Sequence, residues 1–260
     1  MRLTCLAALL VLVQTAPAAP GAPYRETIPD TTVTFEMVPV PGGTVTIDGK
    51  PVKVEPFYIA RTEVTWDMYD AFMQGGNPAK GAADAIARPS RPYSAPDYGW
   101  GRAGYPAISI ARGGAQGFAA WLSNRTGKKY RLPTEAEWVR AAQLAAPDPA
   151  TPIDAYAWFE SNSNGKTHPV GSKKPDALGL SDLFGNAAEW VTTADDRNVT
   201  RGGSIYSARD AVGPNARAPQ EDWWNDRDPQ IPKSRWWLSD GPFVGFRLVR
   251  EQSSGTPAKP

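Results

Sequence analysis

Glycine and proline interrupt this chain so often, 24 and 26 times in 260 residues, that much of its backbone is expected in turns and irregular loops rather than in long helices or strands. The punctuation is dense over residues 77–108, where SRPYSAPDYGWGRAGYPA forms the centre of the segment. Aromatic residues are rare in disordered linkers, so Tyr93, Tyr98, Trp100 and Tyr105 mark this segment as a long ordered loop with ring anchors. Ten Trp, nine Tyr and eight Phe within a 41% hydrophobic composition supply the core that such a loop-rich chain needs.

Short elements can be placed between the loops. Thr32–Val40 alternates as a strand, Pro41-Gly42-Gly43 turns it, and Thr44–Ile47 followed by Asp48-Gly49 reads as its hairpin partner and a tight turn. Val54–Ala60 is a third extended piece. In WDMYDAFMQ the side chains of Tyr69, Phe72 and Met73 share one helical face, which Gly75-Gly76 ends. Ile108–Asn124 reads as a helix with Phe118, Trp121 and Leu122 inward. Thr134 with Glu137 three residues later is a capping box that opens the next helix. Trp190–Thr193 and Val244–Val249 read as short strands. No fixed-period repeat appears, and one domain is the count.

The first 18 residues carry Arg2, an apolar run from Leu3 to Val13 and Ala16-Pro17-Ala18, the pattern of a cleaved secretory signal. The run is too short to span a bilayer, which predicts a secreted or periplasmic protein with no membrane association after cleavage. Residues 19–30 read as a flexible lead-in, 31–250 as the domain, and 251–260 as a disordered tail. Cys5 is the one cysteine and lies in the signal, so the mature chain has no disulfide, thiolate nucleophile or thiolate metal site. A net charge of +1 points away from nucleic acid and anionic membranes.

Three stretches hold residues of chemical interest. In GLSDLFGNAAEW, Asp182 and Glu189 are hard oxygen ligands, and the Gly185-Asn186-Ala187 backbone between them has little side-chain bulk; such an oxygen-only set suits Ca²⁺. The same residues equally describe a surface turn with an acidic rim. Between Arg209 and Asp240, the pairs Trp223-Trp224 and Trp236-Trp237 stand among Asp222, Asp226, Arg227, Asp228, Arg235 and Asp240. Their rings either line a ligand groove for sugar or peptide, with Asp240 at its edge, or fill core. His168, the one histidine, sits in a THPVG turn and reads as a turn residue bonded to nearby backbone.

The segments MVPVPGGTV, PFYIARTEVTWDMYDAF, YPAISIARGGAQGFAAWLSNRTGKKYRLPTEAEWVRAA, THPVGSKKPDALGLSDLFGNAAEW, RGGS and GFRLVR closely resemble, in order, the sulfatase-modifying-factor family, whose best known member is the formylglycine-generating enzyme. The resemblance implies an α+β, C-type-lectin-like formylglycine-generating-enzyme fold, loop-rich and low in regular secondary structure, with structural Ca²⁺ held by Asp182, Gly185, Ala187 and Glu189. A second family calcium site would fall at Asn162–Asn164, where the expected acidic ligand is lacking. Two cysteines follow GGS in the enzyme and bind copper; their positions here are Ser207 and Val212. A hydroxyl is a poor ligand for a soft monovalent copper and valine offers no lone pair, which counts against copper and formylglycine generation. The expectation is an exported module that binds a peptide, protein or saccharide. Its alternative is a metal-dependent oxidase or oxygenase of the same family, with His168, Asp222, Asp226 and Asp240 as ligands.

Overall fold

The computed structural model describes residues 21–75, 89, 92, 94–146 and 150–252; the signal segment, residues 77–88, 90, 91 and Tyr93 of the expected ordered loop, and the tail beyond residue 252 lie outside the described residues. In chain order the strands are β1 (Tyr24–Thr27), β2 (Thr34–Val40), β3 (Gly43–Ile47), β4 (Lys50–Val54), β5 (Phe57–Ala60), β6 (Tyr130–Arg131), β7 (Ala188–Thr192), β8 (Asn198–Gly202), β9 (Gly213–Pro219), β10 (Val244–Gly245) and β11 (Val249–Glu251). The helices are α1 (Trp66–Gly75), α2 (Arg112–Thr126) and α3 (Glu135–Leu144). They are short, as the glycine and proline content requires.

A five-stranded antiparallel sheet runs β1-β2-β5-β11-β6, and a four-stranded sheet runs β10-β7-β8-β9 with β10 parallel to β7. The five-stranded sheet separates two cores, and the period-two alternation of its strands assigns side chains to each face. Phe35 and Met37 of β2 and Tyr58 and Ala60 of β5 face a core built from α1 and α2, with Tyr69, Phe72, Phe118 and Phe246. Val38 and Val40 of β2 and Phe57 and Ile59 of β5 face a second core with Trp138 of α3, Phe159, Phe184 and Val191. All four residues of β5 are therefore buried, and FYIA carries no polar position because neither face meets water.

Strand pairing departs from the sequence reading in three places. β2 pairs with β1 and β5, while β3 pairs with β4 across Asp48-Gly49; the expected hairpin between Thr32–Val40 and Thr44–Ile47 does not form. Asp48 and Gly49 have φ of 47° and 75°, the two positive values of a tight hairpin turn, so that turn joins β3 to a strand the alternation left unmarked. Residues 24–27, expected in the flexible lead-in, are β1: Tyr24 packs edge-on against Tyr58 and its hydroxyl meets that of Tyr130. Val244–Val249 is divided between two sheets, with Phe246, Arg247 and Leu248 buried between β10 and β11.

The capping box is present. Thr134 Oγ1 accepts from the Glu137 amide at 3.1 Å, and Glu137 Oε2 accepts from the Thr134 amide at 2.8 Å. Burial pushes the Glu137 carboxyl up, but two hydrogen bonds from Arg131 outweigh it and hold the group below its ordinary range. Thr134→Ala is expected to lower the unfolding free energy by about 1 kcal/mol, read as a lower urea midpoint at unchanged slope.

Candidate functional site

The GLSDLFGNAAEW loop is wound into the molecule rather than laid on its surface. Gly185 has φ of 78°, and a side-chain carbon there would fall 2.2 Å from the Trp158 carbonyl oxygen, so only glycine fits. Asn186 is fully buried: its Nδ2 donates to Glu63 Oε2 at 3.0 Å and its Oδ1 accepts from the His168 amide at 2.9 Å. Glu63 Oε1 accepts from the Ala187 amide at 2.8 Å. Sequence reading took Asn186 for its backbone only and passed over Glu63; the glutamate lies more than a hundred residues away, and only folding brings it here.

Four charges share this interior. Arg247 donates to Glu189 Oε1 through Nε at 2.8 Å, with Nη2 2.7 Å from the same oxygen as an ion pair, and Trp138 Nε1 donates to Glu189 Oε2 at 2.9 Å. With both oxygens facing protein donors, Glu189 is the counterion of Arg247. Asp182 is different. Its Oδ2 accepts from the Gly171 amide at 2.6 Å, while Oδ1 is buried without a hydrogen-bond partner. Burial pushes its carboxyl up to about 6; burial and the neighbouring Asp182 likewise raise Glu63 well above the carboxylate range. Burial and mutual repulsion thus favour the protonated forms of Glu63 and Asp182, and Arg247 is left paired with Glu189. The orphan oxygen of Asp182 fits a hard cation, but Ca²⁺ takes six to eight oxygens, and among the described residues no three carboxylate, imidazole or thiol side chains converge as a metal cluster. At the second expected site, Asn162 closes its own turn, accepting from Phe159 N at 2.8 Å and donating to Ala157 O at 3.0 Å.

The residues at the enzyme's cysteine positions come together beside Gly203. A carbon built on Gly203 would lie 3.1 Å from Ser207 Oγ and 3.2 Å from Val212 Cγ2. Ser207 Oγ accepts from the Ser204 amide at 2.9 Å and closes the turn; Val212 packs into the second core. This turn directs Tyr206 outward, 48% exposed.

Three of the four tryptophans expected in the groove are core. Trp224, Trp236 and Trp237 are buried. Trp237 stacks on Trp66 at 6.5 Å between ring centroids and meets Tyr69 at 5.7 Å; Trp224 lies 5.8 Å from Trp190. The reason is the glycine face of α2: a carbon on Gly114 would fall 2.6 Å from the Trp236 carbonyl oxygen, and one on Gly117 would fall 2.8 Å from the Trp236 ring. Three glycines within a helix are otherwise destabilising, and that was the available signal. Asp240 is no ligand group either, because it clips the loop by accepting from Arg227 and Ser239. Trp223 alone stays exposed, at 46%, with its Nε1 held by Glu221 at 3.0 Å.

Trp223 and Tyr206 flank Phe243, each 5.8 Å from it between ring centroids. The three rings form a shelf beside the GGS turn and just before the GFR segment, and two of its members, Tyr206 and Phe243, were not foreseen. His168 is remote from a catalytic role. It stacks on Trp158 at 3.7 Å, its Nε2 lies 2.8 Å from the Ser163 carbonyl oxygen, and burial holds its imidazole below the ordinary value. It does not meet Asp222, Asp226 and Asp240 in a metal cluster.

A family model described as "Sulfatase-modifying factor enzyme 1-like domain" matches residues 24–252. The formylglycine-generating enzyme of Mycobacterium tuberculosis is 35% identical over 109 residues, covering 35% of this chain and 34% of that protein. The serine/threonine-protein kinase pkn1 of Chlamydia caviae is 36% identical over 95 residues, 35% of this chain and 14% of that protein. The matched stretch thus spans about a third of one curated relative and a seventh of the other. Among solved structures, Treponema denticola variable protein 1 superposes with a TM-score of 0.63 at 22% identity, covering 89% of this chain and all of that one. PvdO from Pseudomonas aeruginosa gives 0.59 at 25% identity, over 84% of this chain and 94% of its own. CarF gives 0.59 at 21%, over 84% and 98%. The α+β, loop-rich formylglycine-generating-enzyme fold is shared with all three.

The orphan carboxylate generates a pH signature. A folded-state value near 6 against 3.8 for an ordinary aspartate means that the stability Asp182 contributes is present below about pH 4 and is lost as pH rises through 6. In chelator-treated protein, Asp182→Asn should therefore gain on the wild type by on the order of 2 kcal/mol between pH 4 and pH 8, measured by denaturant unfolding at each pH.

Proposed function

We propose that this chain, which belongs to the sulfatase-modifying-factor family, is an exported binding module that uses the family scaffold without its cysteine chemistry. One observation carries the reading. Where the enzyme's resemblance places a reactive cysteine pair, the turn holds Ser207 and Val212, and the surface beside it is a shelf of Tyr206, Phe243 and Trp223. A hydroxyl that already accepts a backbone hydrogen bond and a packed isopropyl group provide no soft ligand for copper. Large, half-exposed rings held in fixed orientation are the usual anchors of a binding surface. The shelf lies on rigid supports: Ile205 N donates to Asn186 O on one side, and Phe243 O accepts from Ala188 N on the other. A peptide, protein or saccharide segment laid across it would bury the exposed ring faces with little loss of side-chain freedom.

The structural Ca²⁺ implied by the family belongs, within this reading, on Asp182 and the backbone carbonyls of Gly185 and Ala187, without Glu189. It would supply a positive charge that lets Asp182 ionise in its buried place. A chelator should then lower the melting temperature and added Ca²⁺ restore it, by about 2.7 kcal/mol when the ion is a hundredfold above its dissociation constant. Melting indifferent to both removes calcium from the reading.

The functional test uses titrations of peptides, including cysteine peptides of the sulfatase type, and of oligosaccharides, followed by Trp fluorescence and calorimetry. Tyr206→Ala and Trp223→Ala are expected to weaken binding by about 2 kcal/mol each while stability changes by no more than about 0.5 kcal/mol. Formylglycine produced from the cysteine peptide with copper present, or binding that ignores both substitutions, would overturn the module reading. Recovery of secreted or periplasmic protein beginning at Ala19 is the expected result for export.

A further inference from the structure

Eight non-glycine residues among those described have positive φ, and six of them are Asp or Asn, the types that tolerate the left-handed region through local hydrogen bonds. The other two are Tyr98, at 51°, and Ser109, at 60°. Both line the same cavity, a space of about 250 Å³ between the loop carrying Tyr98 and the loop 225–239. Backbone held in sparsely populated regions persists where surrounding structure over-determines it, and it gathers at ligand clamps. The Tyr98 hydroxyl donates to the Ser239 carbonyl at 2.8 Å and ties the two loops together.

The polar groups of this cavity are under-used. Ser109 is buried, and its Oγ, beside the Tyr98 hydroxyl, has no hydrogen bond of good geometry. Asn225 is buried; its Oδ1 accepts from Ser239 N at 2.8 Å, while its Nδ2 has a long 3.4 Å contact to Asp228 Oδ2. Asp228 is buried and accepts from the amides of Gln230 and Ser234. Lys233 donates to the Asp228 backbone carbonyl and not to its carboxylate, and no ion pair of Asp228 occurs among the described residues. Trp237 and Tyr98 are among the residues that line the walls.

We propose that this cavity is a binding site for a small neutral polyhydroxylated ligand of monosaccharide size. The cavity also carries Arg227, but that guanidinium is paired with Asp240, so the buried carboxylate of Asp228 opposes an anion. A simple cation would use the acceptors and leave the Ser109 and Asn225 donors unmatched, which is costly in a buried site. A sugar ring matches both: its hydroxyls donate to Asp228 and accept from Ser109 and Asn225, while its C–H faces lie on Trp237 and Tyr98. The volume is slightly below the roughly 300–1,000 Å³ of drug-sized pockets, which favours a single ring over a peptide. The ring shelf shares no residue with this cavity, so the two sites stand or fall separately.

The test is saturation-transfer NMR on the full chain with glucose, galactose, mannose and N-acetylglucosamine, with tetramethylammonium and acetate run as competing chemistries. At least one sugar is expected to bind, with quenching of Trp fluorescence, and neither ion is expected to do so. Ser109→Gly removes the hydroxyl while glycine adopts the same φ without strain. It should weaken sugar binding by about tenfold at an unchanged or raised melting temperature, and Trp223→Ala should leave that binding intact. Absence of transfer from every sugar, tetramethylammonium binding in their place, or undiminished affinity in a folded Ser109→Gly protein would overturn the proposal.

Discussion

The rest of the structure depends on the buried pair between Arg247 and Glu189. Every guanidinium nitrogen has an oxygen partner: Nε donates to Glu189 Oε1, Nη1 to the carbonyls of Ala60 and Arg61, and Nη2 to Ser181 O while lying 2.7 Å from Glu189 Oε1. Charges taken out of water this completely are tolerable only when every donor is satisfied, and removing one partner of such a pair typically costs 3–5 kcal/mol. Here the pair also joins pieces of chain that have few other reasons to meet. The end of β5, the start of the GLSDLF loop, β7 and the link between β10 and β11 all converge on one side chain, and Trp138 brings α3 to the other oxygen of Glu189.

Regular secondary structure is sparse, so side-chain fit does the work that ladders do elsewhere. The glycine face of α2 admits the Trp236 backbone and ring, and the aromatic residues Trp66, Tyr69, Phe72, Phe118, Trp237 and Phe246 interlock beneath it at centroid distances of 5.5–6.5 Å. Rings bury large areas with few rotatable bonds, which suits a chain whose loops have already given up much backbone entropy. The shelf of Tyr206, Phe243 and Trp223 grows outward from the same aromatic packing, since Trp224 touches Phe243 at 5.1 Å. The exposed rings are thereby fixed by buried ones.

Local signals in the sequence were legible and distant ones were not. Thr134 and Glu137 announced the cap of α3, Asp48-Gly49 its tight turn, and Tyr69 and Phe72 the inner face of α1, because each depends on residues a few positions apart. Of the loop expected over residues 77–108, the described part from residue 94 onward packs through Tyr98, Trp100 and Tyr105, as its rings indicated. Family resemblance supplied the fold, which periodicity did not. The partner of β2 was misread because β1 and β5 compete with β3 through contacts that alternation cannot rank. Glu189 looked like an open ligand because nothing near it in sequence indicates Arg247. Trp236 and Trp237 looked like groove residues because their burial depends on glycines of α2 more than a hundred residues away. Tyr206 and Phe243 gave no signal at all, since exposure is decided by the finished surface.

The placement of β11 has a temporal meaning. It is the last strand of the domain, yet it lies between β5 and β6 in the five-stranded sheet, and the residues just before it deliver Arg247 to the interior. A chain emerging from the ribosome amino-terminus first has therefore made β1, β2 and β5 long before the strand that completes their sheet exists. Long-range closure of this kind is slow, and until it happens the apolar edge of β5 and the carboxylate of Glu189 both lack their partners. The strand synthesised last is thus the one that joins β5 to β6, and the cores on both faces of that sheet are complete only once it is in place.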